Sequence, residues 1–267
     1  LVRCATHKEV RQGMSNATVA DAEQEAPSGS FTINDVVMKI ATPNGSGSQS
    51  ANLILMRAIF EMGIPVAGKN LFPSNIQGLP TWYTIRVNDK GYLAQRRLTD
   101  IMIAMNPDSV IDDVAELPPG GTLIIRKKLD MFARRDDITT YVVPFTDLAT
   151  EVCPDAKLRN KVINVVYVGV MAWLLEIDFD AVVRAIGHQF GNKPKAVALN
   201  QAAAEAGYKW AQEHVKPHPE FRMRPSEAAK GKILIEGNEA SALGMMMGGC
   251  SFAAWYPITP SSSLCEY

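Results

Sequence analysis

The sequence predicts an α/β fold, and three features carry that prediction. Short runs of β-branched and aromatic residues alternate with stretches whose apolar residues recur every three or four positions; Gly, Pro and Asn punctuate the joins; and a purely helical pattern takes over after Pro144. In such a fold, ligands bind at the carboxyl ends of the strands.

Residues Leu1 to Ser30 are polar and aperiodic, the composition of an arm to which no chemistry is assigned. Val36 to Ala41 reads as a strand, and Pro43 to Ser48 as a Gly/Ser-rich turn. Ala51, Ile54, Leu55, Ala58 and Met62 form the apolar stripe of a helix that Gly63 ends. Further strands are expected at Trp82 to Val87, Ile101 to Met105, Thr122 to Arg126 and Thr140 to Val143, with turns at Asn106-Pro107 and Pro118-Pro119-Gly120-Gly121. Helices follow at Phe145 to Val152, Leu158 to Leu175, Asp180 to Phe190 and Pro194 to His214; Asp178 or Asp180 can cap one, and Pro194 suits a first turn.

Lys216 to Lys232, rich in proline and charge, reads as an interdomain linker. Beyond it a second α/β unit is expected: a strand Ile233 to Glu236, a helix Gly237 to Gly248 and a strand Phe252 to Tyr256. One such unit cannot close a hydrophobic core, and the chain, which opens on Leu rather than Met, is expected to be part of something longer.

The 267 residues, 47% hydrophobic and with a net charge of −1, describe an ordinary globular chain with no global attraction to nucleic acid or to an anionic membrane, so any anion site must be local. The four cysteines, Cys4, Cys153, Cys250 and Cys265, form no CxxC pair, so no iron–sulfur or zinc site is expected here. Dispersed thiols and the lack of an apolar leader segment point to the cytoplasm, and Val162 to Leu175 is too short to span a bilayer.

Gly45-Ser46-Gly47-Ser48-Gln49-Ser50 lies between a strand and an amphipathic helix, where backbone N–H groups and the helix dipole converge on an anion. It is either a phosphate cradle or a tight strand–helix turn. Read as GxGxxG it lacks the third glycine, and where NAD would need a carboxylate some twenty residues on, the chain has Val66-Ala67-Gly68-Lys69-Asn70. Lys69 reads as a solvated side chain. Asn164 falls inside an apolar helix, where an unpartnered amide costs roughly 1–3 kcal/mol, so it needs partners there. His214 and His218 stand at a metal-ligand spacing, but Pro217 breaks the helix between them and no metal is expected. Met245, Met246 and Met247 read as core filler. Tyr256-Pro257-Ile258-Thr259-Pro260-Ser261-Ser262 fixes the backbone between two prolines, presenting the Thr259 hydroxyl at a strand end before a capped helix.

Gly237-Asn238-Glu239-Ala240 with its Gly-punctuated helix, followed by Tyr256 to Ser262, resembles the opening of the pyrimidine-binding domain of the 2-oxoacid:ferredoxin oxidoreductases. Residues from about Phe31 to Val215 resemble that family's gamma domain, with the Gly/Ser loop, the Ala104-Met105-Asn106-Pro107 strand end and the Asn-containing helix in the expected order. The resemblance implies an arm at 1–30, a Rossmann-like gamma domain at 31–215 that handles coenzyme A, a linker at 216–232 and the start of a thiamine-diphosphate domain at 233–267. It further implies that an alpha subunit of this kind works with a beta subunit that supplies a 4Fe–4S cluster, the magnesium ion and the diphosphate end of thiamine diphosphate, in a hetero-oligomer that converts a 2-oxoacid to its acyl-CoA and reduces ferredoxin. Asn44, Gly45, Ser46, Gly47, Ser48 and Asn164 resemble coenzyme A contacts, with Lys193 and Lys195 as phosphate partners. Thr259 resembles the hydroxyl that holds substrate near the thiamine adduct, and Pro257 and Ile258 just before it resemble cofactor contacts. The domain order resembles the 2-oxoglutarate type more than the pyruvate type. Asn75 or Ile76 stands where some relatives have a lysine for coenzyme A, which bears on affinity. The thiamine-activating glutamate is expected beyond Tyr267.

Overall fold

The computed structural model describes residues 31–73, 76–258 and 261–267. Its elements, in chain order, are β1 (Thr32–Ile33), β2 (Asp35–Pro43), α1 (Ser48–Glu61), β3 (Val66–Leu71), β4 (Pro80–Asn88), β5 (Ile101–Ala104), α2 (Val110–Glu116), β6 (Thr122–Arg126), a 3-10 turn (Lys127–Phe132), β7 (Thr139–Val143), α3 (Phe145–Val152), α4 (Ala156–Leu174), α5 (Phe179–Phe190), α6 (Pro194–His214), β8 (Phe221–Arg222), α7 (Gly237–Met247) and α8 (Ser261–Cys265).

Six strands form one sheet in the order β3-β4-β2-β5-β6-β7. From β2 to β7 the pairings are parallel, so Pro43, Ala104, Arg126 and Val143 end their strands on one edge. On the other flank β4 runs antiparallel to β2 along its whole length, from Asp35↔Asn88 to Pro43↔Pro80, and β3 lies outside β4. Of these parallel strands β2, β5 and β6 are buried on both faces, as their near-continuous apolar runs require, whereas the edge strand β7 is partly exposed. Ile101, Ile103 and Ile124 join the larger core under α1 and α3 to α6, whereas Met102, Ala104, Leu123 and Ile125 join a smaller core under α2.

Helix α4 sits deepest: from Val162 to Ala172 every residue is buried. Its close approach to α6 needs two glycines, because a Cβ at Gly169 would lie 1.9 Å from the Ala204 carbonyl oxygen and one at Gly207 would lie 2.1 Å from that of Val166. The interface therefore places backbone against backbone, which fixes α4 rigidly beneath the sheet edge.

The segment expected as a linker is strapped along the body. The backbone N–H groups of His218, Met223, Ser226 and Ala229 donate to the carbonyls of Leu174, Leu175, Met62 and Gly63. β8 pairs with β1 in parallel, and Arg222 bonds Glu176 at 2.7 Å. His218 is buried; its Nδ1 accepts the N–H groups of Glu220 and Phe221, so Nε2 carries the proton and donates to Thr122 Oγ1 at 2.8 Å. Desolvation, followed by the nearby Arg222 charge, lowers its pKa to about 4.

Two expected strands are corrected by the structure. Residues 233–236 and 252–256 are not strands: no described segment offers either a ladder partner, and Ile233, Phe252 and Tyr256 are exposed. The methionines expected as core filler are also exposed, Met247 at 89%, because nothing described covers that side of α7. In the opposite direction, α2, β1, β3 and β8 form where no helix or strand had been expected.

Gly207→Ala should gain roughly 1 kcal/mol of helix propensity yet destabilise overall by about 1–3 kcal/mol through overpacking, seen as a lowered melting temperature; an unchanged or raised value would contradict the close α4–α6 contact. His218 is neutral in the fold but protonates near pH 6.5 when unfolded, so its contribution is complete above that pH and is lost as pH falls toward about 4. Denaturant titrations should show a loss on the order of 3 kcal/mol across this window, and His218→Gln should flatten that slope.

Candidate functional site

β2 ends at Pro43, and the chain then crosses the sheet edge through Asn44 to Gly47 before α1 begins. The crossing is held by a neighbouring loop: Asn44 N–H donates to Leu79 O at 2.8 Å, Gly78 N–H donates to Asn44 O at 3.0 Å, and Asn44 Nδ2 donates to Ile76 O at 3.2 Å. Gly45 and Gly47 take φ of 78° and 83°, the left-handed region that a side chain resists. A Cβ at Gly45 would also meet Gln77 Cγ at 3.1 Å. Gly47 opens α1 with no side-chain cap and no acidic residue in the first turn, so the positive end of the helix faces the groove unshielded.

Beneath this loop lies Asn164 of α4, only 1% exposed. Its Nδ2 donates to Ser46 O at 2.8 Å and reaches Ser46 Oγ at 3.2 Å, which gives both amide protons acceptors and turns Ser46 inward. One turn along α4, buried Tyr167 donates to Asn52 Oδ1 at 2.7 Å. Burial, and then the neighbouring Tyr83, hold the Tyr167 hydroxyl well above its ordinary pKa; burial, and then Glu236, push Tyr83 up to about 12. Both phenols are thereby held in the protonated form at neutral pH. On the front of the loop, Thr42 donates to Ser48 Oγ at 2.8 Å, and Thr81 donates to Thr42 O at 3.1 Å.

These elements enclose a groove of about 850 Å3 at the carboxyl end of β2. Asn44, Gly45, Gly47 and Ser48 line one side, Tyr83 and Lys161 line others, and Ile258 of the heptapeptide reaches it as well. Across Gly47, Ser50 and Lys161 the groove adjoins an apolar recess of about 530 Å3 formed by Leu158, Val162, Val165, Phe190 and Leu199, with Lys193 and Lys195 among its lining. The combination offers backbone N–H groups, hydroxyls and lysines to an anion, and a greasy slot beside them to an apolar group.

The predicted residues thus fall into distinct positions. Asn44, Gly45, Gly47, Ser48 and Ile258 line the groove, Lys193 and Lys195 flank the recess, and Ser46 with Asn164 forms the support behind. Pro257 is exposed beside Ile258, and Thr259 and Asn75 lie outside the described residues. Lys69 is exposed on the edge strand β3, away from the groove lining. No Asp or Glu is among the groove residues that could hold ribose hydroxyls as a nicotinamide dinucleotide requires. His214 Nδ1 lies 2.8 Å from Trp210 O, and His218 serves the strap, so the two rings have separate partners. Sequence reasoning missed Lys161 and Tyr83; Lys161 stands one turn before Asn164 on the same helix, a spacing that could have revealed it.

The family model described as pyruvate ferredoxin/flavodoxin oxidoreductase matches residues 37–210. The alpha subunit of 2-oxoacid:ferredoxin oxidoreductase 2 from Aeropyrum pernix is 23% identical over 87% of this chain and 42% of its own length. The 2-oxoglutarate oxidoreductase subunit KorA of Mycobacterium tuberculosis is 22% identical over 87% of this chain and 40% of its own. The chain therefore spans about two fifths of the curated relatives it matches. Among solved structures, 2-oxoglutarate:ferredoxin oxidoreductase from Magnetococcus marinus, with 2-oxoglutarate, coenzyme A and succinyl-CoA bound, aligns at a TM-score of 0.74 with 24% identity, over 88% of this chain and 41% of that one. The gamma subunit of a keto/oxoacid ferredoxin oxidoreductase from Geobacter sulfurreducens aligns at 0.56 with 19% identity, over 67% of this chain and 99% of its own. These two likenesses concern the fold. No helix among the described residues is long and apolar enough to cross a membrane.

Replacing Asn164 by Leu should cost about 1–3 kcal/mol by leaving the Ser46 carbonyl without its donor, and should speed amide hydrogen exchange at Gly45 to Ser48. Protection unchanged from the native chain would mean that the loop does not depend on Asn164.

Proposed function

The chain belongs to the pyruvate ferredoxin/flavodoxin oxidoreductase family, and we propose that it is the coenzyme A-handling part of a 2-oxoacid:ferredoxin oxidoreductase alpha subunit, of the 2-oxoglutarate type. One observation carries the reading: the Gly45–Ser48 cradle and Ile258, the covalent neighbour of Thr259, line the same groove. An acyl acceptor held by the cradle would thereby meet the segment that the resemblance assigns to the acylating centre.

The residues present fit coenzyme A. The glycines keep side chains out of the cradle, the free end of α1 and the loop N–H groups suit a diphosphate, and Lys161, Lys193 and Lys195 offset its charge. The apolar recess suits an uncharged part of the same ligand. In the overall reaction the bond between the carboxylate and the keto carbon breaks and releases carbon dioxide. Two electrons pass one at a time to two ferredoxins; the coenzyme A sulfur forms a thioester to the former keto carbon, and the thiol proton is released. Thiamine diphosphate, when bound, supplies the electron sink that makes this decarboxylation feasible. This chain's part is positioning: the cradle fixes the acceptor, Asn164 fixes the cradle, and the Thr259 hydroxyl holds the 2-oxoacid. The beta subunit, with its magnesium ion and 4Fe–4S cluster, and ferredoxin complete the assembly as partners.

Support for 2-oxoglutarate is the KorA relative and the 2-oxoglutarate named with the Magnetococcus structure; pyruvate is the alternative substrate of the same chemistry. Parallel calorimetric titrations with coenzyme A and NAD test the cradle. Coenzyme A should bind, with its Kd raised at least tenfold by Gly47→Val and severalfold by Lys161→Met, whereas NAD should not compete. NAD binding without coenzyme A binding would overturn the reading.

A further inference from the structure

Two strands further along the same sheet edge, roughly 10 Å from the end of β2 at about 4.8 Å per strand, lies a basic recess that the groove does not include. Arg126 ends β6 on the face covered by α3. Its Nη2 donates to Thr146 Oγ1 at 3.1 Å, and its Nη1 reaches Met105 O only at 3.5 Å. Its Nε is buried with no hydrogen-bond partner. Burial alone lowers its pKa, with no carboxylate acting in the other direction. With Lys127, Lys128 and Thr146 it lines a recess of about 270 Å3, whose lining also includes Asp147 of the first turn of α3.

A guanidinium half-withdrawn from water without a counter-ion is unfavourable, and the usual remedy is a carboxylate within the fold. Among the described residues none forms an ion pair with Arg126. Three cations line the recess against the single carboxylate of Asp147, and a guanidinium with no carboxylate partner leaves a place for an acceptor from outside the chain. The recess is below the roughly 300 Å3 at which whole-ligand pockets begin, which suits one tetrahedral oxyanion rather than an entire coenzyme.

We propose that this recess is a second anion subsite, taking a phosphate or phosphoryl group on Arg126 with Lys127 and Lys128, separate from the groove at β2. The test is a calorimetric titration of the whole chain with orthophosphate at low ionic strength, using wild type, Arg126→Met, Arg126→Lys and Lys161→Met. Arg126→Met should raise the phosphate Kd at least tenfold, Arg126→Lys should fall between, and Lys161→Met should leave the Arg126-dependent event within twofold. The melting temperature of Arg126→Met without phosphate should equal or exceed that of wild type, since a half-buried cation with no carboxylate partner is removed. Adenosine diphosphate distinguishes the source: displacement of phosphate with the same Arg126 dependence identifies a nucleotide's phosphoryl end, and no displacement identifies a free oxyanion, both retaining the subsite. Equal phosphate affinity in wild type and Arg126→Met, or a melting temperature lowered by the substitution, would overturn the proposal.

Discussion

Asn164 stands on the helix that the fold buries most completely, and its amide reaches out of that helix to hold the Ser46 carbonyl. The loop above it contains two left-handed glycines and could take many shapes if it were free. It is one shape because α4 cannot move: Gly169 and Gly207 let α6 press backbone against backbone, and sheet and helices enclose the rest. The rigidity of a buried helical interface is thus transmitted through a single amide to the loop that lines the groove. Preorganisation of this kind lowers the ordering cost of binding, which otherwise consumes much of the gain from contacts.

The electrostatics are local rather than global. A chain of net charge −1 has no general attraction for anions, yet the end of α1, Lys161, Lys193 and Lys195 gather on one side of the sheet edge, and Arg126, Lys127 and Lys128 gather farther along it. Tyr83 and Tyr167 are neutral donors among them, kept protonated by burial. A parallel sheet directs the ends of its strands to a common edge, so this concentration of donors follows from topology as much as from composition.

Much of this architecture was legible in the sequence because burial on both sheet faces leaves continuous apolar runs, and amphipathic helices leave stripes. Thr122 to Arg126, Phe145 to Val152 and Pro194 to His214 form with the bounds expected of them. The misses have physical reasons. β3 carries Gly68, Lys69 and Asn70, poor strand formers that are tolerated on an edge where four of six residues are exposed. The helix α2 is a short run with two aspartates in its first turn, too brief for a clear period. Residues 233–236 and 252–256 have strand composition but no described neighbour with which to pair, and a strand exists only as part of a ladder. The Gly/Ser loop and Asn164 could each be picked out as unusual, but 118 residues separate Ser46 from Asn164, and no local pattern shows that one supports the other.

A crystal structure of the chain with coenzyme A tests the central account most directly. Difference density for the diphosphate should lie against Gly45 to Ser48, with backbone N–H groups about 3 Å from its oxygens and Asn164 still bonded to Ser46. Density placed elsewhere on the molecule, with the Gly45–Ser48 cradle vacant, would contradict it.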